Sequence, residues 1–415
     1  MKPSNPSQVA WPQRVEDLAV FSGQPAFGEV LHVGQPNVGD VEVFLARARA
    51  VLGRRWLTNN GIVVQELERR IARMHGVKHC MAMANGTQAL DILLRAAGIQ
   101  GEVIVPAYTF VATAHAVLWA GLTPVFADVD PVSHNLTADE AEKVLTPRTG
   151  AIMAVHLWGR GAGAERLQDW ARARRIPLFF DAAHGFGCSH AGRMLGSWGQ
   201  GSTFSFHATK CFHTFEGGAL LTDDDGLADR GRLLRNFGFA GSDNVVSLGT
   251  NAKMNEISAA MGLTLLEGFE AIVAHNRTAH AAYRENTAGC AGLRLLEYPS
   301  DQRCNYQYVV LEVDDTRCGM TRDALAAVLQ RENVAARRYF YPGCHRAEPY
   351  RSDPRYSGVR LPVTEALSDR VLCLPTGTAV SLDQVRLIAR IISLALGQPD
   401  KVLKALASGT AGAQP

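Results

Sequence analysis

The sequence lacks the features of a secreted, membrane-spanning or nucleic-acid-binding protein. No run reaches the roughly 20 apolar residues that a membrane-spanning helix needs. The stretch from Met1 to Gln13 contains no apolar core of a secretory signal. The 42 basic and 40 acidic residues leave a formal net charge of only +2, which gives no reason to expect an acidic partner. We therefore expect a cytoplasmic protein that binds neither nucleic acid nor membranes.

Metal-binding and redox motifs are also missing. The eight cysteines are scattered and none forms a CxxC pair, so we expect reduced thiols and no metal site. Lysine is scarce, because only seven of the 42 basic residues are lysines. A lysine in an unusual sequence context is therefore informative, and Lys210 is such a residue.

The length of 415 residues predicts more than one domain, because single cores stop growing beyond roughly 250–300 residues. In residues 56–265 short apolar runs alternate with helical patterns, which predicts a large α/β domain whose mostly parallel sheet is covered on both faces. Residues 266–407 predict a smaller α+β domain. Residues 1–55 are too few for their own core and should pack on the other units, and residues 408–415 should be a disordered tail.

Hydrophobic periodicity places the individual elements. The predicted helices are 65–75, 87–97, 111–120, 164–174, 255–285, 322–331 and, as the last one, 382–396. The predicted strands are 103–105, 124–127, 151–155, 177–180, 203–206 and 219–222, followed by the looser 306–313 and 334–340.

Lys210 follows the apolar strand 203–206 and precedes the pair Gly217 and Gly218. A lysine between a strand end and two glycines is well placed for a nucleophilic, Schiff-base role. As a single feature it is weak, since a surface lysine in a loop is the commoner case.

Asp181 ends the apolar run Phe179–Phe180, where α/β sheets place ligands. A buried carboxylate there needs a cationic partner, such as a pyridinium nitrogen. The alternative is an aspartate that caps a helix.

A third motif, Asn85-Gly86-Thr87, begins a helix. The free N–H groups at the start of a helix can bind a phosphate group. Taken alone, the motif indicates no more than a good helix start.

Taken together and in this order, these motifs resemble the sugar aminotransferases of the DegT/DnrJ/EryC1/StrS family, a branch of the fold-type I enzymes that use pyridoxal 5'-phosphate. The resemblance runs from about Thr58 to Pro375. The stretches that carry it are Leu57-Thr-Asn-Asn-Gly61, Val105-Pro-Ala-Tyr-Thr-Phe-Val-Ala-Thr113, Asp181-Ala-Ala-His184, Phe204-Ser-Phe-His-Ala-Thr-Lys210, Phe215-Glu-Gly-Gly218, Gly249-Thr-Asn251 and Arg338-Tyr-Phe-Tyr-Pro342 with His345.

The resemblance implies how the cofactor ring is held. Lys210 would carry pyridoxal 5'-phosphate as a Schiff base and later move the proton. Asp181 would pair with the pyridine nitrogen and keep it protonated. Phe110 would stack on the ring, with Tyr108 the less favoured candidate. His184 would hydrogen-bond the ring hydroxyl, where many relatives carry glutamine.

The phosphate and the assembly follow from the same resemblance. Gly86, Thr87 and Ser205 would hold the phosphate, and Asn251 would reach it from a neighbouring subunit, which makes a homodimer necessary. Taken singly, Ser205, Asn251 and His184 could instead be ordinary turn or core residues.

The implied reaction moves the amino group of glutamate to a nucleotide-linked keto-deoxysugar. Residues 206–218 and 337–345 look most similar to the branch that aminates C4 of dTDP-4-keto-6-deoxyglucose. A 3-keto sugar or a cyclitol stays open, because turning the ring in the site changes which carbon meets the cofactor. Aromatic side chains can stack on the apolar face of a sugar ring, and arginines can bind the oxygens of a diphosphate. The alternative is that the tyrosines only pack within the small domain. The predicted substrate-binding residues are Thr58, Asn59, Arg337, Arg338, Tyr339, Tyr341 and His345.

Two other functions are compatible with the fold. One is dehydration with pyridoxamine phosphate, but family members of that kind carry histidine in place of the lysine. The other is a non-catalytic sensor. The presence of Lys210, Asp181 and the phosphate residues argues against both.

Overall fold

The computed structural model describes residues 11–161 and 163–409. Its N-terminal segment has little regular structure, with helices α1 (Ala19–Ser22) and α2 (Val41–Arg54) and the two-residue strand β1 (Leu31–His32). The apolar side chains of this segment are buried in the C-terminal part of the chain, against residues such as Leu325 and Val334. Those side chains are Val15, Leu18, Phe27 and Leu31.

The centre of the molecule is a seven-stranded sheet with helices around it. Its elements, with a short hairpin formed by β7 and β8, are α3 (Ile62–His75), β2 (His79–Met83), α4 (Gly86–Ala96), β3 (Glu102–Pro106), α5 (Ala112–Trp119), β4 (Thr123–Ala127), α6 (Ala138–Lys143), β5 (Thr149–Val155), α7 (Ala164–Arg174), β6 (Leu178–Asp181), β7 (Ser189–His190), β8 (Arg193–Met194), β9 (Gly201–Ser205), β10 (Gly218–Thr222) and α8 (Asp225–Arg235).

The strand order of this sheet is β2-β10-β9-β6-β5-β3-β4. Strand β10 runs in the opposite direction to the other six strands, so it is antiparallel to both β2 and β9. Strands β3 and β10 are buried along their whole length, as expected where helices cover both faces. The architecture confirms the predicted α/β fold with a mostly parallel sheet. Because the ends of parallel strands meet at one edge, Asp181 and Ser205, the last residues of β6 and β9, lie at the same edge.

The C-terminal part begins with a long helix and continues as a smaller unit around the antiparallel sheet β11-β13-β15. Its elements are α9 (Glu256–Thr287), β11 (Leu293–Leu295), β12 (Gln302–Arg303), β13 (Val309–Val313), α10 (Asp315–Cys318), α11 (Arg322–Arg331), β14 (Val334–Ala335), α12 (Pro362–Arg370), β15 (Val371–Leu374), α13 (Leu382–Gly397) and α14 (Pro399–Gly409). Strand β14 pairs in parallel with β1, which ties the N-terminal segment to this unit.

Among the described helices, α9 is the one that is long and apolar enough to cross a membrane by length and composition. Within the chain, 56% of that apolar window is buried, as in the core helix of a soluble protein. Helix α9 also runs through the predicted domain boundary at 265/266, so the division into residues 56–265 and 266–407 stays a prediction.

Three predicted elements are corrected by the structure. The predicted strand 334–340 ends at Ala335, because the chain then turns after the single bridge between Arg337 and Cys373. The predicted strand 306–313 begins only at Val309. Helix 382–396 is not the last, since α14 follows it after Gln398 and includes Ser408 of the predicted tail. Residues 410–415 of that tail lie outside the described residues.

Candidate active site

Lys210 lies in the loop between β9 and β10, and its side chain points into a cavity of about 660 Å³ at the carboxyl edge of the sheet. The amine Nζ lies 3.3 Å from the hydroxyl of Tyr308. Burial lowers the pKa of the amine from 10.5 to about 8, although the nearby carboxylate of Asp181 opposes this shift. A larger share of neutral amine is therefore available near pH 8 than for an ordinary lysine.

Asp181 reaches the same cavity from the end of β6 and is 5% exposed. Its Oδ2 accepts a hydrogen bond from the Thr113 hydroxyl (2.8 Å) and its Oδ1 from the Ala183 N–H (3.0 Å). Both donors are neutral, and burial raises the pKa of the carboxyl. The ionised form of such a carboxylate is stabilised by a positively charged group of a ligand bound in the cavity.

The third wall is the N-terminus of α4. Asn85 caps the helix through its Oδ1, which accepts a hydrogen bond from the Gln88 N–H (2.8 Å). The first-turn N–H groups of Gly86 and Thr87 have no partner within the helix, and both residues line the cavity. A Cβ on Gly86 would lie 2.8 Å from the Cβ of Ser205, so only glycine allows this close approach. The result is a cradle for an anion at the positive end of the helix.

The cavity brings together most of the predicted cofactor residues. It is lined by Gly86, Thr87, Phe110, Asp181, His184, Ser205 and Lys210, and by Arg337 and Tyr339 from the predicted substrate set. Phe110 is 56% exposed and lines the cavity, whereas Tyr108 is fully buried and donates a hydrogen bond to the Tyr339 carbonyl (2.6 Å).

The other predicted residues lie elsewhere. Thr58 and Asn59 are exposed in the turn before α3, and Asn251 is exposed in a bridge with Asn236. Arg338 pairs with Asp323 at 3.2 Å on the surface. Tyr341 and His345 line a separate cleft of about 480 Å³, because the chain turns away from the cavity after Phe340.

Sequence reasoning missed many residues of the cavity region, and three of them bear directly on the site. Thr113 holds Asp181, Tyr308 contacts Lys210, and Val33 of the N-terminal segment forms part of the wall. Thr113 lies within a stretch that carried the family resemblance, so that stretch held a signal. Tyr308 and Val33 carry no local signal, since their places depend on how distant segments pack.

The functional groups that line the cavity match the chemical groups of pyridoxal 5'-phosphate one by one. The cradle at α4 fits the phosphate, the buried carboxylate of Asp181 fits a protonated ring nitrogen, and the amine of Lys210 fits an aldehyde carbon. These three features lie in one cavity lined by an aromatic side chain.

Comparisons with known proteins agree with this geometry. A model of the DegT/DnrJ/EryC1/StrS aminotransferase family matches residues 40–393. A dTDP-4-amino-4,6-dideoxy-D-glucose transaminase from Escherichia coli is 34% identical over 373 residues, which cover 89% of this chain and 99% of that protein. The crystal structure of DesI in the presence of its TDP-sugar product has a TM-score of 0.90 and 46% identity, covering 95% of this chain and 100% of the other. DesV of S. venezuelae, solved in complex with a ketimine intermediate, has a TM-score of 0.78 and 29% identity, covering 85% and 94%.

Proposed function

The chain belongs to the DegT/DnrJ/EryC1/StrS aminotransferase family, and on that premise we propose that it binds pyridoxal 5'-phosphate and transfers the amino group of glutamate to C4 of dTDP-4-keto-6-deoxyglucose. The observation that supports this most strongly is the single cavity in which an amine of lowered pKa, a buried carboxylate and a helix N-terminus converge.

Each wall of the cavity has a distinct task in this proposal. The N-terminus of α4, with Ser205, binds the phosphate and thereby orients the ring. Asp181 keeps the ring nitrogen protonated, and Thr113 holds the carboxylate in place. When bound, the cofactor supplies an electron-withdrawing ring that accepts electrons from the bond being broken.

Lys210 has two successive tasks. Its neutral amine would hold the cofactor as a Schiff base, and the same amine, once free, would accept and donate the proton that the reaction moves. A pKa of about 8 suits this exchange, because the amine changes its protonation state readily near neutral pH. Enforced proximity supplies much of the acceleration.

For the nucleotide sugar, the placement of the arginines favours Arg337. Its guanidinium lies 5.3 Å from the centre of the Tyr339 ring, and both residues line the cavity. Arg338 is engaged with Asp323 instead. We propose that Arg337 binds a phosphate or carboxylate group of a substrate, while Tyr339 contacts a sugar face. Four other predicted substrate residues do not line this cavity: Thr58, Asn59, Tyr341 and His345. They would contact the substrate only where it extends beyond the cavity, or from a neighbouring subunit of the assembled protein.

The regiochemistry is tested by incubating the enzyme with glutamate and dTDP-4-keto-6-deoxyglucose and identifying the product by NMR. We expect a 4-amino sugar, which is the product type in the name of the relative from Escherichia coli. A matched reaction with the 3-keto isomer serves as the comparison. A good rate on the 3-keto isomer, without any 4-amino product, would overturn the C4 assignment and leave the aminotransferase function intact.

We further propose a homodimer in which Asn251 binds the cofactor phosphate of the partner subunit. Within its own chain Asn251 is exposed and does not line the cavity. The adjacent loop exposes apolar side chains, including Phe237 (46%) and Leu248 (91%), and such a patch is typical of a surface that another chain covers.

Complementation tests this shared site. Lys210→Ala chains and Asn251→Ala chains are each expected to be inactive or nearly so. Mixed dimers contain one intact site, so random exchange should restore about a quarter of the wild-type activity. Mass-tagged chains confirm that exchange has occurred, and Lys210→Ala mixed with Lys143→Ala provides the exchange control. No gain after proven exchange, or a fully active monomer in light scattering, would contradict the proposal.

A further inference from the structure

A continuous line of hydrogen bonds runs from Lys210 into the protein interior. The Lys210 amine lies 3.3 Å from the Tyr308 hydroxyl, and that hydroxyl lies 3.1 Å from His184 Nε2. His184 Nδ1 accepts a hydrogen bond from the backbone N–H of Trp158 at 3.2 Å. Tyr308 and His184 are both buried, at 6% exposure each.

These contacts determine the tautomer of His184. Because Nδ1 accepts a hydrogen bond from a backbone N–H, it carries no proton, so the proton of the neutral ring is on Nε2. Burial, together with the charge of Lys210, lowers the pKa of His184 well below its ordinary value, which keeps the ring neutral. Nε2 therefore donates to the oxygen of Tyr308. Both ring nitrogens of His184 thus have partners in this structure, and neither is free for the ring hydroxyl of the cofactor, the role that the family resemblance implied.

The backbone of Trp158 is held in an unusual conformation that aims its N–H at His184. Its φ of 59° lies in the left-handed region, which a bulky residue adopts only when its surroundings enforce it. The indole N–H donates to His134 Nδ1 (3.0 Å), and His134 Nε2 lies 3.0 Å from the carboxylate of Glu312. The strained residue is thus fixed through both its backbone and its side chain.

We propose that Tyr308 is a positioning residue that holds the free amine of Lys210 for proton transfer, and that His184 and Trp158 orient its hydroxyl. The oxygen of Tyr308 already accepts from His184, so its own proton is directed to its other neighbour, Lys210. A neutral amine accepts that proton as a hydrogen bond, whereas a charged amine donates to the oxygen. The amine therefore stays in one place in both protonation states. This inference deepens the proposed aminotransferase function and rests on it.

The first test is Tyr308→Phe in the cofactor-loaded enzyme. We expect the half-reaction with glutamate, followed by cofactor absorbance, to slow by about 10- to 100-fold, because the proton-carrying amine is misplaced. The isotope effect with α-deuterated glutamate should rise, since proton transfer becomes more rate-limiting. Tyr283→Phe is the control, because it removes another buried hydroxyl, bonded to the Pro375 carbonyl away from the cavity. A normal rate, or a slower rate without a larger isotope effect, would overturn the proposal.

The second test addresses His184. His184→Leu removes both hydrogen bonds and should slow the same half-reaction as strongly as Tyr308→Phe does. Glutamine can accept from the Trp158 N–H and donate to Tyr308, so His184→Gln should restore most of the lost rate. Equal losses in both variants would contradict the orienting role.

A third measurement separates this inference from the proposed function. The full-length, cofactor-free chain is labelled with acetic anhydride across a pH series, and Lys210 is quantified by peptide mass spectrometry. The wild-type midpoint should lie near pH 8, because burial lowers the pKa of the amine to about 8. Tyr308→Phe should lower the midpoint by about 0.5 to 1 pH unit, because the charged amine loses the oxygen to which it donates, and that charge-assisted bond is stronger than the one that the neutral amine accepts. An unchanged midpoint would overturn the inference. A lowered midpoint in a protein without transaminase turnover would instead refute only the proposed function.

Discussion

Lys210→Ala is expected to reduce transaminase turnover by at least about 10⁴-fold, because the side chain supplies both the covalent attachment and the proton transfer. Lys210 is the one lysine among the described residues that line the cavity, so no other lysine amine there can replace it. The half-reaction with glutamate, followed by absorbance, measures the loss. Lys143→Ala is the control, since Lys143 lies on the surface in an ion pair with Glu140.

Chemical labelling checks the same assignment without relying on turnover. Reduction of the loaded enzyme with borohydride, followed by peptide mapping, should place the cofactor on Lys210. The Lys210→Ala protein should carry no label while keeping its melting temperature close to that of the wild type. Label on any other lysine, or appreciable turnover in the variant, would refute the role of Lys210.

Asp181→Asn is expected to lower the rate of the glutamate half-reaction by about 10²- to 10³-fold while leaving the fold intact. The amide has nearly the shape of the carboxylate and can still contact Thr113 and the Ala183 N–H. It carries no negative charge, however, and cannot stabilise a protonated ring nitrogen. Rates close to the wild type would show that the charge of Asp181 is not needed.

The stability of this variant gives an independent check. Burial raises the pKa of Asp181 in the folded chain, so the folded state binds a proton more readily than the unfolded state does. The buried charge therefore lowers the stability of the folded state at pH values above the raised pKa. This loss of stability disappears as the pH falls below the ordinary pKa of an aspartate. At neutral pH the cofactor-free Asp181→Asn chain should melt no earlier than the wild type. The surface variant Asp139→Asn should change neither rate nor melting. A marked loss of stability in Asp181→Asn would mean that reduced activity reflects misfolding.

The tertiary structure distinguishes between residues that the sequence treats alike. Arg337 and Arg338 are neighbours and were predicted together, yet Arg337 lines the cavity while Arg338 pairs with Asp323. Tyr341 and His345, from the same stretch, line a separate cleft. A local motif specifies residue types, but the turn after Phe340 decides which side chains face the cavity.

The principal groups of the candidate site were predictable from the sequence alone. Lys210, Asp181 and the pair Gly86–Thr87 each follow an apolar strand or begin a helix, and a mostly parallel sheet brings such ends to one edge. Each of these signals was weak alone, and it was their order along the chain, through its resemblance to the family, that predicted one shared site. The α/β fold was predictable because alternating apolar runs and helical patterns are a local signal.

Tyr308, Val33 and the orientation of His184 were decided only by the tertiary structure. Tyr308 follows Lys210 by 98 positions and Val33 belongs to a segment with no core of its own in the described residues, so no spacing in the sequence connects either residue to the cavity. The tautomer of His184 depends on one backbone N–H, at Trp158, in a conformation that the sequence does not reveal. Hydrogen bonds form between atoms that packing brings within about 3 Å, and that distance is a property of the folded chain.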